Sequence, residues 1–203
     1  MDIIVGAVTT AALGSHTIAT VSIGDVTNTV GGSLTSNINV GAVTAFSLGD
    51  NASAEAFIGT ISQPVGGSVN MNITTGEVFV GALGYQNSAV THIGHIEKPV
   101  VGDLDVNIVV GAVNNFSFGV GSSGSPLTSR ISIGSVLSPQ TAANDPTDIN
   151  VNKGTVNALS FGFTFHVPIL GSYFIGETGC ESYSNVGSEG CSAHDNKLRI
   201  THE

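Results

Sequence analysis

The chain has 203 residues, a formal net charge of -10 and only five Lys plus Arg. This balance excludes the clustered basic surfaces that bind nucleic acid or anionic membranes. Charged residues make up 10% of the chain, against about 25% in ordinary soluble domains, so Gly, Asn, Ser and Thr must take their place on the surface.

The first segment, "MDIIVGAVTTAALGSH", contains an apolar stretch with a faint likeness to a secretion signal. It lacks the basic residues that begin such signals, and its glycines stand in phase with those of the segments that follow. We therefore interpret it as folded structure. No run of about 18 apolar residues occurs in the chain, so no membrane span is predicted.

Five copies of one unit of about 35 residues follow one another, as in "NINVGAVTAFSLG" and "NIVVGAVNNFSFG". The first glycine of each unit is Gly6, Gly41, Gly76, Gly111 or Gly154. A second glycine follows eight residues later in every unit, and a third follows ten to fifteen residues after the second. Self-similarity of this kind predicts a repeat fold.

Within a unit, apolar and polar residues alternate as they do in strands. In "LDVNIVV", Leu104, Val106 and Ile108 fall on one side, and Asp105 and Asn107 on the other. The alternation slips at each glycine, which we interpret as a corner where glycine takes a positive φ. A unit with three corners favours one coil of a parallel β-solenoid. The alternative is an antiparallel β-sandwich or prism with one small sheet per unit.

Asparagine recurs at one place in the units. Asn37, Asn72, Asn107 and Asn150 hold it in the later units, and Asp2 holds it in the first. Stacked coils would bring these side chains together as a ladder of hydrogen-bonded amides. In antiparallel sheets they would be ordinary turn residues, and we favour the ladder.

The strand predicted at Asp2, Ile3, Ile4 and Val5 already has the sequence of the first unit, without a polar lead-in. In a solenoid, its outer edge would carry unpaired backbone N–H and C=O groups. Such an edge is a template for another chain; a related route is strand donation, in which this N-terminal segment completes the sheet of a neighbouring copy. We therefore expect these residues to form an assembly edge.

The repeat pattern ends after Gly176. Residues 177–203 are polar and contain both cysteines, which is typical of a cap that ends a solenoid. Cys180 and Cys191 enclose a short loop, which favours a disulfide and an oxidising compartment; a free pair or a metal site are the alternatives. The predicted division is 1–176 for the repeats, at about 2–36, 37–71, 72–106, 107–149 and 150–176, and 177–203 for the cap.

Candidate chemistry is sparse. His92 and His95 flank a predicted corner in "THIGHI", but the pattern specifies no third ligand, so we interpret them as ordinary polar residues and predict no metal site. The acidic pair Asp103/Asp105 matches no calcium-loop spacing. The sequence contains no P-loop, dinucleotide fingerprint or complete nucleophile elbow and triad. We predict neither enzyme activity nor a cofactor.

Two functional hypotheses follow. The first is an extracellular or cell-surface structural subunit that polymerises with copies of itself into a filament or biofilm matrix. The second is an adhesin or fibre module that binds surface glycans, with the long segments 119–130 and 137–149 as candidate contacts. Long polymers would favour the first, and a stable monomer or trimer that binds sugars would favour the second.

Overall fold

The computed structural model describes residues 1–120, 127–137, 147–163, 176–177, 180–183 and 192–193. These residues form an all-β, parallel β-solenoid, and none of them is helical. The described part of the chain thus has no helix long and apolar enough to cross a membrane. The predicted solenoid is confirmed, and the parallel pairing of the long strands excludes the antiparallel sandwich.

Each coil of the solenoid contributes three strands in turn. Coil one has β1 (Asp2–Val5), β2 (Val8–Leu13) and β3 (Ile18–Ile23); coil two has β4 (Leu34–Val40), β5 (Val43–Leu48) and β6 (Ser53–Ile58). Coil three has β7 (Val69–Thr75), β8 (Val78–Tyr85) and β9 (Ser88–Ile93); coil four has β10 (Leu104–Val110), β11 (Val113–Val120) and β12 (Thr128–Ile133). The remaining strands are β13 (Thr147–Lys153), β14 (Val156–Phe163), β15 (Gly176–Glu177), β16 (Cys180–Tyr183) and β17 (Ser192–Ala193).

Coils one to three are described without a gap, and the later part of the chain is described in pieces. The count of five units and the cap at 177–203 extend beyond the described residues, so both stay predictions.

Corresponding strands of successive coils stack into three sheets. Sheet A has the order β1-β4-β7-β10-β13, sheet B the order β2-β5-β8-β11-β14-β15, and sheet C the order β3-β6-β9-β12-β16-β17. The register follows the repeat spacing, since Asp2 pairs with Asn37 and Asn37 pairs with Asn72. Asn107 pairs with Asn150 in the same way, although a longer segment separates them. Equivalent residues of successive coils therefore lie directly over one another.

The core fills the inside of the coils with rows of aliphatic side chains. Ile38, Ile73 and Ile108 form one such row, and each is 1% exposed. The alternating pattern of β10 is confirmed, because Leu104 and Val106 are buried with Ile108 while the residues between them are more exposed. Full burial of one Val or Ile contributes about 1.5–3 kcal/mol, so each coil stabilises its neighbours through these rows.

The three glycine positions of a unit have different physical reasons. The third lies at a left-handed corner, with φ of 70° at Gly24 and 61° at Gly94. The first lies between two strands, as predicted for a corner, but it does not have the positive φ that we expected there. Glycine is favoured there by close stacking instead, because a β-carbon on Gly41 would lie 3.0 Å from the carbonyl carbon of Gly6. Gly76, Gly111 and Gly154 stack on one another in the same manner.

Candidate assembly edge and outer-surface sites

The predicted assembly edge, Asp2–Val5, is strand β1 at the end of sheet A. The backbone N–H groups of Asn37 and Gly41 in coil two donate to the carbonyls of Met1 and Val5. Because backbone groups of successive strand residues point to opposite sides, the N–H and C=O of Ile4 point away from coil two. Within the described residues, no strand pairs with that outer side of β1.

Apolar side chains accompany this edge. Ile3 and Val5 face inwards and pack against the core. Ile4 faces outwards and is 85% exposed, and at the same end of the solenoid Leu13 is 72% and Ile18 63% exposed. The last residue of β2 and the first residue of β3 thus expose apolar side chains at the same end of the solenoid as the unpaired edge of β1.

The opposite end of the solenoid differs among the three sheets. In sheet A, β13 is the last strand that the described residues form. Sheets B and C instead end in short antiparallel strands, β15 against β14 and β17 against β16. Among the described residues, sheet A is therefore the sheet whose first and last strands both pair in parallel with their neighbours.

An unbroken ladder of side-chain hydrogen bonds runs along the outer face of sheet A. The Nδ2 of Asn37 donates to Asp2 Oδ1 at 2.7 Å, and the Nδ2 of Asn72 donates to Asn37 Oδ1 at 3.1 Å. Asn107 donates to Asn72 at 3.3 Å and Asn150 to Asn107 at 3.2 Å. Every rung uses the Oδ1 of the coil below, so the amide dipoles all point the same way along the stack.

Most of the outer face of sheet B is apolar, unlike that of sheet A. Its apolar outward positions hold Ala11, Leu13, Phe46, Leu48, Phe79, Leu83, Phe116, Phe118, Leu159 and Phe161. The outward row nearest to the start of each strand is mostly polar, with Thr9, Thr44, Asn114 and Asn157. Phe118 stacks on Phe161 with ring centroids 5.7 Å apart and on Phe116 with centroids 6.0 Å apart. This face could not be predicted from alternation, which places the apolar set inside. In β11 the polar Asn115 and Ser117 are buried, and Phe116 and Phe118 point outwards.

An open groove of about 590 Å³ lies at the edge of sheet B where strands β8 and β11 end. Asp50, Leu83, Tyr85, Phe118 and Val120 contribute to its lining. The glycan-binding segments proposed at 119–130 and 137–149 lie largely outside the described residues, but this groove adjoins the first of them.

His92 and His95 lie against each other where β9 ends, with ring centroids 4.4 Å apart; His95 is buried and His92 is partly buried. Burial, together with the neighbouring His95 and Arg130, lowers the pKa of His92 to about 4, so its ring is neutral at neutral pH. Neither ring nitrogen of His92 has a hydrogen-bond partner among the described residues. Glu97, which the sequence analysis did not select, lies beside the pair, with its Oε1 3.7 Å from His95 Nε2.

The remaining predicted positions either form ordinary hydrogen bonds or lie outside the described residues. Asp105 accepts a hydrogen bond from Asn107 at 3.0 Å within sheet A, and Asp103 forms no acidic cluster with it among the described residues. Cys180 lies in β16, whereas Cys191 is outside the described residues, so the disulfide stays a prediction.

Comparison with known protein families, curated proteins and solved structures finds no match to this chain.

Proposed function

We propose that this protein is a structural subunit that assembles with copies of itself, end to end, into an extracellular or cell-surface filament or matrix. The observation that carries the proposal is the outer side of β1, whose backbone groups face away from coil two beside the exposed side chain of Ile4. A parallel strand edge of this kind gains one hydrogen bond for each group that a second chain pairs.

The partner edge in a second copy is β13, the last strand of sheet A among the described residues. Docking β1 of one copy on β13 of another continues sheet A in the same parallel sense. It also brings Asp2 of one copy next to Asn150 of the other. The Asp2 carboxylate can only accept hydrogen bonds, so the one-way ladder is interrupted at each junction and the backbone of sheet A carries the contact. Such a contact joins two different surfaces, and contacts of that type propagate into fibres unless they close into a ring.

Two further features support an assembling role. The apolar outer face of sheet B is a contiguous surface of the kind that marks association sites. The net charge of -10 opposes contact between copies, which keeps the subunit dispersed until conditions favour assembly. The polar surface and the predicted disulfide favour a location outside the cell.

The test is direct observation of the purified chain over a range of concentrations. We expect negative-stain microscopy to reveal unbranched polymers about as wide as one solenoid, and light scattering after size exclusion to detect species much larger than 20.5 kDa. A chain that stays monomeric at every concentration and ionic strength contradicts the proposal.

The aromatic groove supports a second candidate function, a module that binds surface glycans. Tyr85 and Phe118 offer apolar ring surface and Asp50 offers a carboxylate, the combination with which proteins hold sugar rings and hydroxyls. A glycan array would test it, with Tyr85→Ala as the variant that loses binding. Sugar binding by a monomeric chain would favour this candidate over the structural subunit.

A further inference from the structure

We propose that His92, His95 and Glu97 form a binding site for a divalent transition-metal ion, for which zinc is the best match. The three side chains follow one another around the corner that ends β9. One donor atom of each lies within 4.8 Å of the donor atoms of the other two, and they are the one such group of three among the described residues. The inference does not depend on the proposed assembly.

The fold brings these residues to one side through the corner at Gly94. Strict strand alternation would place His92 and His95 on opposite faces of the sheet. The left-handed φ of 61° at Gly94 turns the chain between them, so that the two rings lie side by side, with His95 buried and His92 partly buried. Ile93 and Ile96 point inwards and are fully buried, which fixes the backbone on both sides of the corner.

His95 is held as a metal ligand would be. Its Nδ1 lies in hydrogen-bond contact with Ser135 Oγ and 3.3 Å from Ser132 Oγ, and the two hydroxyls are 2.6 Å apart. An Nδ1–H that donates to these hydroxyls leaves the lone pair on Nε2. Metal-ligating histidines ordinarily donate their second ring nitrogen to such an outer partner, which fixes the tautomer and the ring orientation.

The opposite nitrogen of His95 then faces an anion. Its Nε2 is 3.7 Å from Glu97 Oε1. Two lone pairs at that distance attract a cation between them, and ligand atoms of a tetrahedral zinc site with bonds of about 2.0–2.1 Å stand roughly 3.4 Å apart. His92, whose two ring nitrogens have no hydrogen-bond partner in the part of the chain that the structure describes, supplies the third ligand.

The donor set selects the class of ion. Two imidazoles and one carboxylate suit zinc and neighbouring first-row ions, whereas calcium and magnesium require oxygen ligands. Glu97 is the one anionic ligand of the set, and Arg130 lies near enough to act on His92. Three protein ligands leave a fourth position open to water or to an outside group.

Coil two supplies the control for an experiment, because it has the same fold without these ligands. Phe57 pairs with His92 in register, and Thr60 and Ser62 stand where coil three has His95 and Glu97. A triple variant, His92→Phe, His95→Thr and Glu97→Ser, therefore introduces only residues that this solenoid already accommodates. A second variant, Glu97→Gln, removes one ligand charge while keeping the side-chain shape.

Equilibrium dialysis of the full chain against zinc chloride at neutral pH tests the site, with metal content measured by mass spectrometry. We expect the wild-type chain to bind one zinc ion more than the triple variant does. We expect Glu97→Gln to lower the affinity for that ion at least about tenfold. We also expect zinc to raise the melting temperature of the wild type but not of the triple variant, because an ion that binds only the folded state stabilises it.

His16→Asn is the matched histidine control. His16 has φ of 58°, and Asn51 holds the equivalent corner of coil two with φ of 52°, so the substitution fits the backbone. This variant should bind zinc as the wild type does. Equal zinc content in the wild type and the triple variant would assign any bound metal to other histidines and overturn the proposal, as would a wild type that binds none.

Discussion

Gly49 lies directly over Gly14 in the stack, and a β-carbon added to Gly49 would stand 1.8 Å from the carbonyl oxygen of Gly14. Gly84 repeats the relationship one coil later, at 2.1 Å from the carbonyl oxygen of Gly49. The backbone also has a positive φ at all three residues. The second glycine of the unit is therefore required for two separate reasons, its dihedral angle and the distance between coils.

A pair of alanine substitutions separates these reasons. Gly14 and Gly84 have the same φ of 133°, but a β-carbon on Gly14 would meet only Thr17 Cγ2, at 3.4 Å. Both variants place an alanine at a φ that L residues rarely adopt, which costs about 1–3 kcal/mol. We expect Gly84→Ala to lower the free energy of unfolding by roughly 3 kcal/mol more than Gly14→Ala, because its clash is with backbone. Urea denaturation measures both, and equal losses would show that coil spacing adapts.

The ladder on sheet A makes a separate prediction about stability. Asn37 donates to Asp2 and accepts from Asn72, whereas Asn39, on the same face of β4, makes no side-chain hydrogen bond within the described residues. Because an intramolecular hydrogen bond contributes about 0.5–1.5 kcal/mol net, we expect Asn37→Ala to cost about 1 kcal/mol. Asn39→Ala should cost less than about 0.5 kcal/mol. Similar losses in the two variants, measured by thermal or urea unfolding, would mean that the ladder adds no stability.

The solenoid and the ladder could be predicted from the sequence because one number describes both. The 35-residue offset that separates Gly6 from Gly41 is also the pairing offset of Asp2 and Asn37. In a stack, residues at equal phase are neighbours in space, so the repeat itself reports tertiary contacts. The repeat length therefore predicts which residues of different strands contact each other, which the sequence of one strand alone does not.

The cluster around Glu97 could not be predicted in the same way. Its three residues belong to one coil, and the other coils hold different side chains at those positions, so the period contains no signal. Alternation also assigns His92 and His95 to opposite faces unless the corner at Gly94 is counted. We predicted ordinary polar histidines because the sequence pattern specified no third ligand. Glu97 supplies that ligand, but it lies beside the two histidines only because the chain turns at Gly94.

A proline at Ile4 tests the assembly edge. The N–H of Ile4 points away from coil two, so Ile4→Pro removes a donor that the intact fold does not use, and proline is tolerated at such edge positions. The side chain is 85% exposed, so its loss should change the unfolding free energy little. We expect the variant to fold as a solenoid by circular dichroism and to form no polymers in negative stain.

Ile4→Val is the control for that experiment. It keeps the N–H and a branched apolar side chain at the same place, so polymers should form as in the wild type. Polymers of normal length from Ile4→Pro, with its melting temperature unchanged, would mean that β1 is not the contact between copies.

Ionic strength provides the last prediction, because each subunit carries a net charge of -10 and copies repel one another. The distance over which salt screens charges falls from about 30 Å at 0.01 M to about 8 Å at 0.15 M. We therefore expect the concentration at which polymers first appear, followed by light scattering, to fall as sodium chloride is added over that range. Ile4→Pro should stay monomeric throughout, which separates ordered assembly from salt-induced precipitation of the apolar face of sheet B. A threshold that rises with salt would indicate that charge attraction, rather than backbone pairing against charge repulsion, joins the copies.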